Sequence, residues 1–356
     1  MPRPPKTEGK KIFVGFASAG AAGIWSFTRV LRKRGYSVDF YGVGHSKFGM
    51  PVDTALEVSS NKFVFALQKM ALFFRILFKY DIWHLNCMEV FFFYPLNLFI
   101  LKIFGKRIVL TFRGSDVRTH LDFLPPSLQS KSKNWPVYYE KMRRLSQSWG
   151  GFKRRIRMEI FIWFADRVAL TGPFLASSVS HYDKIIPYAR DLEKILKIKS
   201  ETHKNKIVIF HSPTVMDVKG SEYILNTIKN LKKKYKNVEF RMPLNLKNED
   251  LLSLMAKADI VIDQLLVGWY GGQAVEAMAL GKPVIAYMHE PYFNLMNFAK
   301  DIPVINSNIW TLEKDLMILI EDFKSRKNLG DAGIAFAKKY HRPDKIADEY
   351  LKLYFD

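Results

Sequence analysis

The chain has 356 residues with 48% hydrophobic content, enough to fill the cores of two α/β domains, and its formal net charge of +21 favours anionic partners. Its single cysteine, Cys87, excludes an internal disulfide and any multi-cysteine metal site, and we interpret it as a core thiol in a reducing compartment. No apolar segment of a signal peptide precedes Ile12, so a cytoplasmic location is the default expectation.

The first elements predict a strand, a glycine-rich turn, a helix and a second strand. The strand Lys11–Ala17 is followed by SAGAAG, a helical pattern from Ile24 to Arg34 and a strand over Ser37–Val43. The turn does not have the G-x-G-x-x-G spacing, and no acidic residue closes the second strand in the expected way. We therefore expect a Rossmann-like half that does not bind NAD.

Two very apolar stretches follow, Phe63–Phe78 and Val90–Phe104. Lys69 and Arg75 interrupt the first, and Pro95 lies inside the second. Neither provides the roughly 20 uncharged residues of a membrane-spanning helix. We predict buried or interfacial helices here, the second of them running through Leu101.

The remaining strands of the first half alternate with helices. They are predicted at Ile82–Asn86, Arg107–Phe112, Arg167–Leu170 and Lys184–Ile186. This alternation predicts a mainly parallel, doubly wound sheet.

Much of the excess positive charge falls between Lys131 and Arg157, where Trp135, Tyr138, Tyr139 and Trp149 are interleaved with basic residues. Such a mixture suits a membrane interface, where aromatic rings lie at headgroup depth and cations meet anionic lipid. A solvated basic helical face is an equally good interpretation.

The composition becomes charged over Asp191–Lys206, and we place a domain boundary there. The predicted domains are 1–195, a Rossmann-like acceptor domain; 196–335, a second Rossmann-like domain; and 336–356, a helix that packs back toward the first. The second half has strands IVIFH, VEFRM, DIVID and PVIAY, helices at Ser221–Tyr235, through Ala256 and over QAVEAMAL, and a helical tail over Leu312–Phe355.

Ligands of open α/β sheets bind at the carboxyl ends of the strands, so we expect the site in a crevice shared by the two domains. Helix N-termini behind several of these loops offer free N–H groups that suit a diphosphate. The sequence shows no Asp-x-Asp at a strand end and no cluster with metal-ligand spacing. We therefore expect no metal and no cofactor.

The segment DIVIDQLLVGWYGGQAVEAMALGKPVIAY resembles the donor-binding segment of GT-B glycosyltransferases, specifically the retaining group called family 4. The resemblance extends to IVIFHSPTVMDVKGS and, more weakly, to FADRVALTGPFL, KIIPYARDL, DIWHLN and LTFRGSDVR. It implies an α/β GT-B fold with two Rossmann-like, doubly wound domains facing a central cleft. It also implies metal-independent, retaining transfer from a UDP- or GDP-sugar to a glycan or lipid-linked acceptor, in surface polysaccharide or glycoconjugate biosynthesis.

The resemblance also assigns roles to residues. Glu276 would accept hydrogen bonds from the ribose hydroxyls, Lys219 would neutralise the pyrophosphate, and the first domain would hold the acceptor. The implied donor-binding residues are Gly20, Ala21, Lys219, Met242, Leu244, Asp263, Gly271, Gly272, Gln273 and Glu276. The implied catalytic residues are Lys219, His84, Arg113 and Asp116.

Each assignment has an ordinary structural alternative. Glu276 could be an exposed helix glutamate, Lys219 one lysine among many, and the glycine pair Gly271 and Gly272 a simple turn. His84 could be a satisfied core histidine, and Asp116 could cap the following segment.

The chain departs from the family pattern at two places. Position 268 is glycine where relatives carry a glutamate at the donor sugar, so Asp263 or backbone groups would have to replace that contact. The basic residue that often precedes the Lys-Gly pair is also absent, which leaves the pyrophosphate to Lys219 with help from Arg190 or Arg113. These departures keep two alternatives open, a catalytically inactive scaffold subunit and a nucleotide-sugar 2-epimerase. No nucleic-acid motif accompanies the charge, so nucleic acid is not an expected partner.

Overall fold

The structure is a computed structural model that describes residues 9–15, 22–43, 52–88, 91–114, 144, 148–203 and 205–356. The chain divides into two compact units. The first unit comprises Met1–Thr119, Gln147–Ala189 and Pro343–Asp356, and the second comprises His120–Ser146 and Arg190–Arg342. The last residues of the chain therefore belong to the first unit.

The described part of the first unit contains a sheet of seven parallel strands in the order β3-β2-β1-β4-β5-β6-β7. The strands are β1 Lys11–Val14, β2 Ser37–Val43, β3 Thr54–Leu56, β4 Ile82–Asn86, β5 Arg107–Phe112, β6 Arg167–Leu170 and β7 Lys184–Ile185. The order of the first six is that of the Rossmann fold, as the strand-turn-helix pattern predicts.

Helices cover both faces of this sheet. They are α1 Ala22–Lys33, α2 Lys62–Ile76, α3 Tyr94–Ile103, α4 Trp149–Phe164 and, from the end of the chain, α12 Pro343–Phe355. Ile12 and Val14 share a core with α1 and α12, whereas the intervening Phe13 lies on the opposite face, with its ring 4.7 Å from Trp83. The ring of Phe73 in α2 is 5.6 Å from Trp83, so α2 lies on that opposite face.

The second unit contains five parallel strands in its described residues, in the order β12-β11-β10-β8-β9. They are β8 Ile207–Phe210, β9 Val238–Arg241, β10 Ile260–Gln264, β11 Val284–Ala286 and β12 Val304–Asn306. Its helices are α5 Leu192–Ile195, α6 Met216–Lys219, α7 Ser221–Lys234, α8 Asn248–Ala256, α9 Gly272–Ala279, α10 Leu312–Glu321 and α11 Phe323–Tyr340. Among the described residues, 3₁₀ segments occur at Pro173–Ser178 in the first unit and at Glu290–Leu295 and Ala299–Asp301 in the second.

The predicted strands are all present, and the structure adds two short ones, β3 and β12. Both are edge strands of three residues that are only partly buried, so they carry little of the alternation by which strands are recognised. The tail is not one continuous run of helix. The side chain of Asp322 accepts a hydrogen bond from Ser325 N–H as the N-cap of α11, and Pro343 begins α12.

No helix in the described ranges is both long enough and apolar enough to cross a membrane, in line with the charges noted in Phe63–Phe78.

Candidate functional site

Polar side chains of the second unit converge where β10 ends and α9 begins. Lys219 Nζ lies 2.6 Å from Asp263 Oδ1, and Asp263 Oδ2 accepts a hydrogen bond of 2.6 Å from Gly271 N–H. Asp263 has no exposed side-chain surface, and Lys219 is only 16% exposed. A single carboxylate therefore fixes both the lysine and the entry to α9.

The backbone around Lys219 explains why glycine follows it. Gly220 has the left-handed conformation, with φ of 73°, and separates α6 from α7. A Cβ at Gly220 would lie 3.2 Å from Leu266 and 3.3 Å from Leu265. The carbonyl of Lys219 accepts a hydrogen bond from Leu265 N–H, which holds this loop against the end of β10. The Lys-Gly pair thus places the ammonium group beside Asp263.

Glu276 lies one turn into α9 and forms an ion pair with Arg190. Arg190 Nε is 3.0 Å from Glu276 Oε1, and Asn248 Nδ2 donates to the same oxygen over 3.3 Å. Burial raises the pKa of Glu276, and the charge of Arg190 opposes that rise. The alternative that Glu276 is an exposed helix glutamate is wrong, because the residue is 5% exposed.

Gly272 makes room for the same arginine. Arg190 Nε donates to the Gly272 carbonyl over 3.2 Å, and a Cβ at position 272 would come within 1.4 Å of the guanidinium. A side chain at position 272 would therefore require the Arg190 guanidinium to shift from its present position beside Glu276. Next along α9, the Gln273 amide nitrogen is buried and has no hydrogen-bond partner within the described residues.

The backbone at position 268 would be strained by the glutamate of the family pattern. Gly268 has φ of 82°, and a Cβ would lie 3.1 Å from His289 and 3.2 Å from the ring of Tyr292. The loop is held by Gln264, whose amide nitrogen donates to the carbonyls of Trp269 and Tyr287. The loop between β10 and α9 is thus built around a glycine.

His211 is a site residue that the sequence analysis did not single out. Its Nδ1 lies 2.9 Å from the Ile262 carbonyl and its Nε2 lies 2.8 Å from Ser221 Oγ. Because a carbonyl oxygen only accepts, Nδ1 carries the proton and Nε2 accepts from the serine. Burial lowers the pKa of His211 to about 4, and the charge of Lys219 acts in the same direction. A neutral histidine therefore braces the start of α7 against β10.

Met242 and Leu244, the candidates for the base pocket, follow β9 in the structure. Met242 is half-buried, Leu244 is exposed, and Ser212 Oγ donates to the carbonyl of Pro243 between them, over 2.8 Å. This bond ties the loop after β9 to the loop after β8.

In the first unit, His84 is completely buried. Its Nδ1 lies 2.6 Å from the Tyr354 hydroxyl and its Nε2 lies 2.8 Å from Thr111 Oγ1. Burial lowers the pKa of His84 to about 3, with a further contribution from the charge of Arg113. The burial of His84 argues against direct contact with an acceptor and favours the alternative of a satisfied core histidine. Arg113 is half-buried just after β5.

One segment of the chain matches a known family model. Residues 205–336 match the sequence model of the family described as Glycosyl transferases group 1. This segment contains Lys219, Asp263 and α9. The expectation of a glycosyltransferase is confirmed, whereas membership of the retaining family 4 stays a prediction.

Several solved structures share the fold of the chain over nearly its full length. Sucrose-phosphate synthase from Thermosynechococcus elongatus is 14% identical with a TM-score of 0.64, over 97% of this chain and 98% of that one. Anabaena HepE in complex with UDP is 14% identical with a TM-score of 0.59, over 97% and 99%. A UDP-N-acetylglucosamine 2-epimerase is 13% identical with a TM-score of 0.55, over 97% and 96%. The predicted α/β, GT-B fold is confirmed. No curated protein sequence matches the chain closely enough to count as a relative.

Some predicted residues of this glycosyltransferase lie outside the described ranges. They are Gly20, Ala21 and Asp116, together with Trp135, Tyr138 and Tyr139 of the basic aromatic segment. Among the residues that the structure does describe, no group of three or more His, Cys, Asp or Glu side chains could hold a metal ion.

Proposed function

We propose that the glycosyltransferase moves a sugar from a nucleoside diphosphate-sugar to a glycan or lipid-linked acceptor, with retention of anomeric configuration. The observation that carries this proposal is the pair of cation–carboxylate contacts, Lys219 with Asp263 and Arg190 with Glu276, at the N-terminus of α9.

The diphosphate of the donor would bind beside Lys219 and Arg190 at the N-terminus of α9. Both Lys219 and Arg190 are largely buried, and each approaches the first turn of α9, at Gly271 and Gly272 respectively. A helix N-terminus adds N–H groups and a partial positive charge. We propose that the two cations supply the charge that stabilises the departing diphosphate, so that transfer is independent of metal.

The ribose of the nucleoside would bind the carboxylate of Glu276. A carboxylate can accept hydrogen bonds from both ribose hydroxyls, and its other partners, Arg190 and Asn248, hold it in one orientation. Met242 and Leu244 offer apolar surface for a base on the neighbouring loop. UDP is favoured as the nucleotide because Anabaena HepE and an alpha-glucosyltransferase of the same fold were solved with it, and GDP is the alternative.

In the proposed reaction, the bond between the anomeric carbon and the diphosphate oxygen breaks, and a bond to the acceptor hydroxyl forms on the same face of the sugar. The acceptor proton passes to the departing phosphate oxygen. Negative charge grows on the diphosphate during this step, so fixed cations stabilise the transition state more than the bound donor. Lys219 and Arg190 would then act chiefly on kcat.

Ligand-dependent unfolding tests the donor site. Thermal unfolding would be followed with UDP, GDP, ADP, CMP and their sugar conjugates, for the native chain and for Lys219→Ala and Glu276→Ala. A ligand bound only by the folded state raises the unfolding temperature. We expect one diphosphate nucleotide to do so and both variants to lose the effect. Lys229→Ala and Glu313→Ala, which alter exposed residues, serve as matched controls. No shift with any nucleotide would overturn the proposal in favour of the inactive scaffold.

A 2-epimerase is the second candidate, because enzymes of that activity share the fold. The two activities differ in product. Nuclear magnetic resonance of UDP-N-acetylglucosamine incubated with the protein alone would show inversion at C2 for an epimerase. A transferase would leave the C2 configuration unchanged and would consume the donor only with an acceptor or by slow hydrolysis.

We further propose that the enzyme works in the cytoplasm at the inner face of the membrane, in the synthesis of surface polysaccharide or glycoconjugate. The basic aromatic segment and the charge of +21 support this location. Fractionation of cells that express the protein would test this location. Recovery of the enzyme only in the soluble fraction would contradict binding to the membrane.

A further inference from the structure

Three helices cover one face of the first unit's sheet and form a continuous surface. α2 lies on the face opposite to α1 and α12. The ring of Phe78, just after α2, lies 5.1 Å from Phe104, just after α3, and Tyr94 of α3 stacks on Phe161 of α4 at 6.2 Å. We call the outer side of α2, α3 and α4 the three-helix surface.

The three-helix surface exposes large apolar side chains to solvent. The most exposed, at 63% to 79%, are Phe63, Phe78, Phe93, Ile103, Trp149 and Trp163. Between α3 and α4 lies a shallow, mostly apolar groove of about 710 Å³, lined among others by Pro95, Ile156 and Trp163. Exposed apolar side chains that are grouped on one face often mark a binding or membrane-contact surface.

The same helices are strongly basic. α2 has three basic residues, α3 has one and α4 has four, and Glu159 is the only acidic residue within the three described helices. Ser180 donates a hydrogen bond to Glu159. Cations and rings are in contact along the surface: Lys69 Nζ lies 5.1 Å from the ring of Phe65, and Lys153 Nζ lies 5.3 Å from the ring of Trp149.

The combination of exposed apolar side chains and basic residues on the three-helix surface indicates the kind of partner. The core of a protein–protein interface is depleted of charged residues, whereas here basic residues recur along α2 and α4. A second copy in a symmetric dimer would bring two positive surfaces together. An anionic bilayer satisfies both features, since aromatic rings lie at headgroup depth while lysine and arginine side chains extend to the lipid phosphates.

We propose that the three-helix surface docks on a membrane containing anionic lipids, with Phe78 and Trp163 inserted at headgroup depth. The helices would lie in the plane of the interface, because none in the described ranges can span a bilayer. The inference rests on the proposed function only for the idea that the membrane presents the acceptor; lipid binding itself does not require sugar transfer. It assigns membrane contact to α2 and α3, outside the Lys131–Arg157 segment, as well as to α4.

Vesicle flotation of the full chain tests this assignment. The vesicles would contain phosphatidylcholine alone, or phosphatidylcholine with phosphatidylglycerol. We expect binding to the anionic vesicles that falls with added salt. The variant Phe78→Ser/Trp163→Ser removes two inserted rings, and Lys153→Gln/Arg154→Gln removes two cations, each worth about fivefold in binding near an anionic surface. All four positions are outside the donor site.

The controls lie in the second unit. Trp310→Ser removes an exposed tryptophan, and Lys229→Gln/Lys233→Gln removes two exposed cations of α7. The proposal is overturned if test and control variants float equally, or if neutral vesicles bind as well as anionic ones. It is also overturned if light scattering shows a lipid-free dimer that Phe78→Ser/Trp163→Ser dissociates. A nucleotide-induced thermal shift retained in the test variants would separate failure of docking from failure of the donor site.

Discussion

At the level of single residues, Lys219 and Asp263 form a buried ion pair beside the proposed diphosphate site. Asp263 is fully buried, and its remaining described hydrogen bond comes from Gly271 N–H. Removal of one partner from such a pair leaves an uncompensated charge in a low-dielectric environment, which costs far more than the intact pair contributes.

The first prediction is a thermodynamic cycle on this pair. We expect Lys219→Met to lower the free energy of unfolding by about 3 kcal/mol, because Asp263 keeps its buried charge. Adding Asp263→Asn should then recover part of that loss, so that the two changes are not additive. Urea unfolding at neutral pH measures both. Strict additivity would show that the contact is energetically unimportant.

A second prediction concerns Gly272. In Gly272→Ala the new methyl group would occupy the position of the Arg190 guanidinium and displace it from Glu276. We expect nucleotide affinity to fall by about tenfold or more, as for the loss of a hydrogen bond to a charged group. Titration calorimetry with the nucleotide found in the thermal screen provides the measurement. Gly150→Ala is the matched control, because a Cβ there lies 3.6 Å from the nearest described atom, Ser148 Oγ. Unchanged affinity in Gly272→Ala would remove Arg190 from the donor site.

A third prediction concerns the missing family glutamate. Gly268→Glu should not restore a donor contact, because position 268 requires a left-handed backbone and has His289 and Tyr292 against it. The backbone conformation alone costs about 1–2 kcal/mol for a residue with a Cβ. We expect a lower unfolding temperature and no gain in donor affinity. A gain would mean that the loop between β10 and α9 rearranges easily.

At the level of elements, His84 joins β4, β5 and α12. It bonds Thr111 in β5 and Tyr354 in α12, and the ring of Phe27 in α1 stacks on Tyr350 at 4.5 Å. The residue therefore helps to attach the last helix of the chain to the first sheet.

A fourth prediction follows from the pKa of His84. The folded pKa of about 3 lies below the value of about 6.5 for an exposed histidine. Between these values the unfolded chain binds more protons, so stability is lost as pH falls from about 6.5 toward 3. We expect His84→Gln to reduce this dependence in urea unfolding between about pH 6.5 and 4. His181→Gln, a change at an exposed histidine, should leave it unaltered. Equal pH dependence in both variants would contradict the buried neutral histidine.

The strands and most helices could be predicted from sequence because β-branched and aromatic runs alternate with helical patterns and glycine stops. Lys219, Asp263, Gly271 and Glu276 were also identified, and the structure brings them together around α9. Arg190 was named as a helper at the pyrophosphate, but its pairing with Glu276 was not predicted, since Arg190 and α9 are about eighty positions apart and no local pattern connects them. His211 was missed for a similar reason: a histidine at a strand end has no signature until its distant acceptor at Ile262 is known.

At the level of the whole molecule, the chain leaves the first unit and returns to it. The described part of the first unit includes Pro343–Asp356, whose residues Ile346, Ala347 and Tyr350 are buried in the same core as β1 and α1. The second unit lies between these segments in sequence. Completion of the first core therefore depends on residues that follow the whole second unit in the sequence.

A fifth prediction is that a chain ending at Arg342 has an incomplete first unit. Removal of α12 would expose Phe27 and leave His84 without its Tyr354 partner. We expect limited proteolysis to degrade the first unit while a fragment spanning residues 205–336 persists. A chain lacking only Asp356 is the control and should resist protease as the full chain does. Equal resistance of the shorter chain would show that α12 is dispensable.

The return of α12 to the first unit also determines when that unit can finish folding during synthesis. A ribosome makes the chain from its N-terminus, so β1 and α1 emerge long before the helix that covers them. The second unit can complete its own core while apolar surface of the first unit is still uncovered. The second unit would thus finish folding before the first, although most of the first unit is synthesised earlier. The nascent first unit would be the part of the molecule most dependent on chaperones.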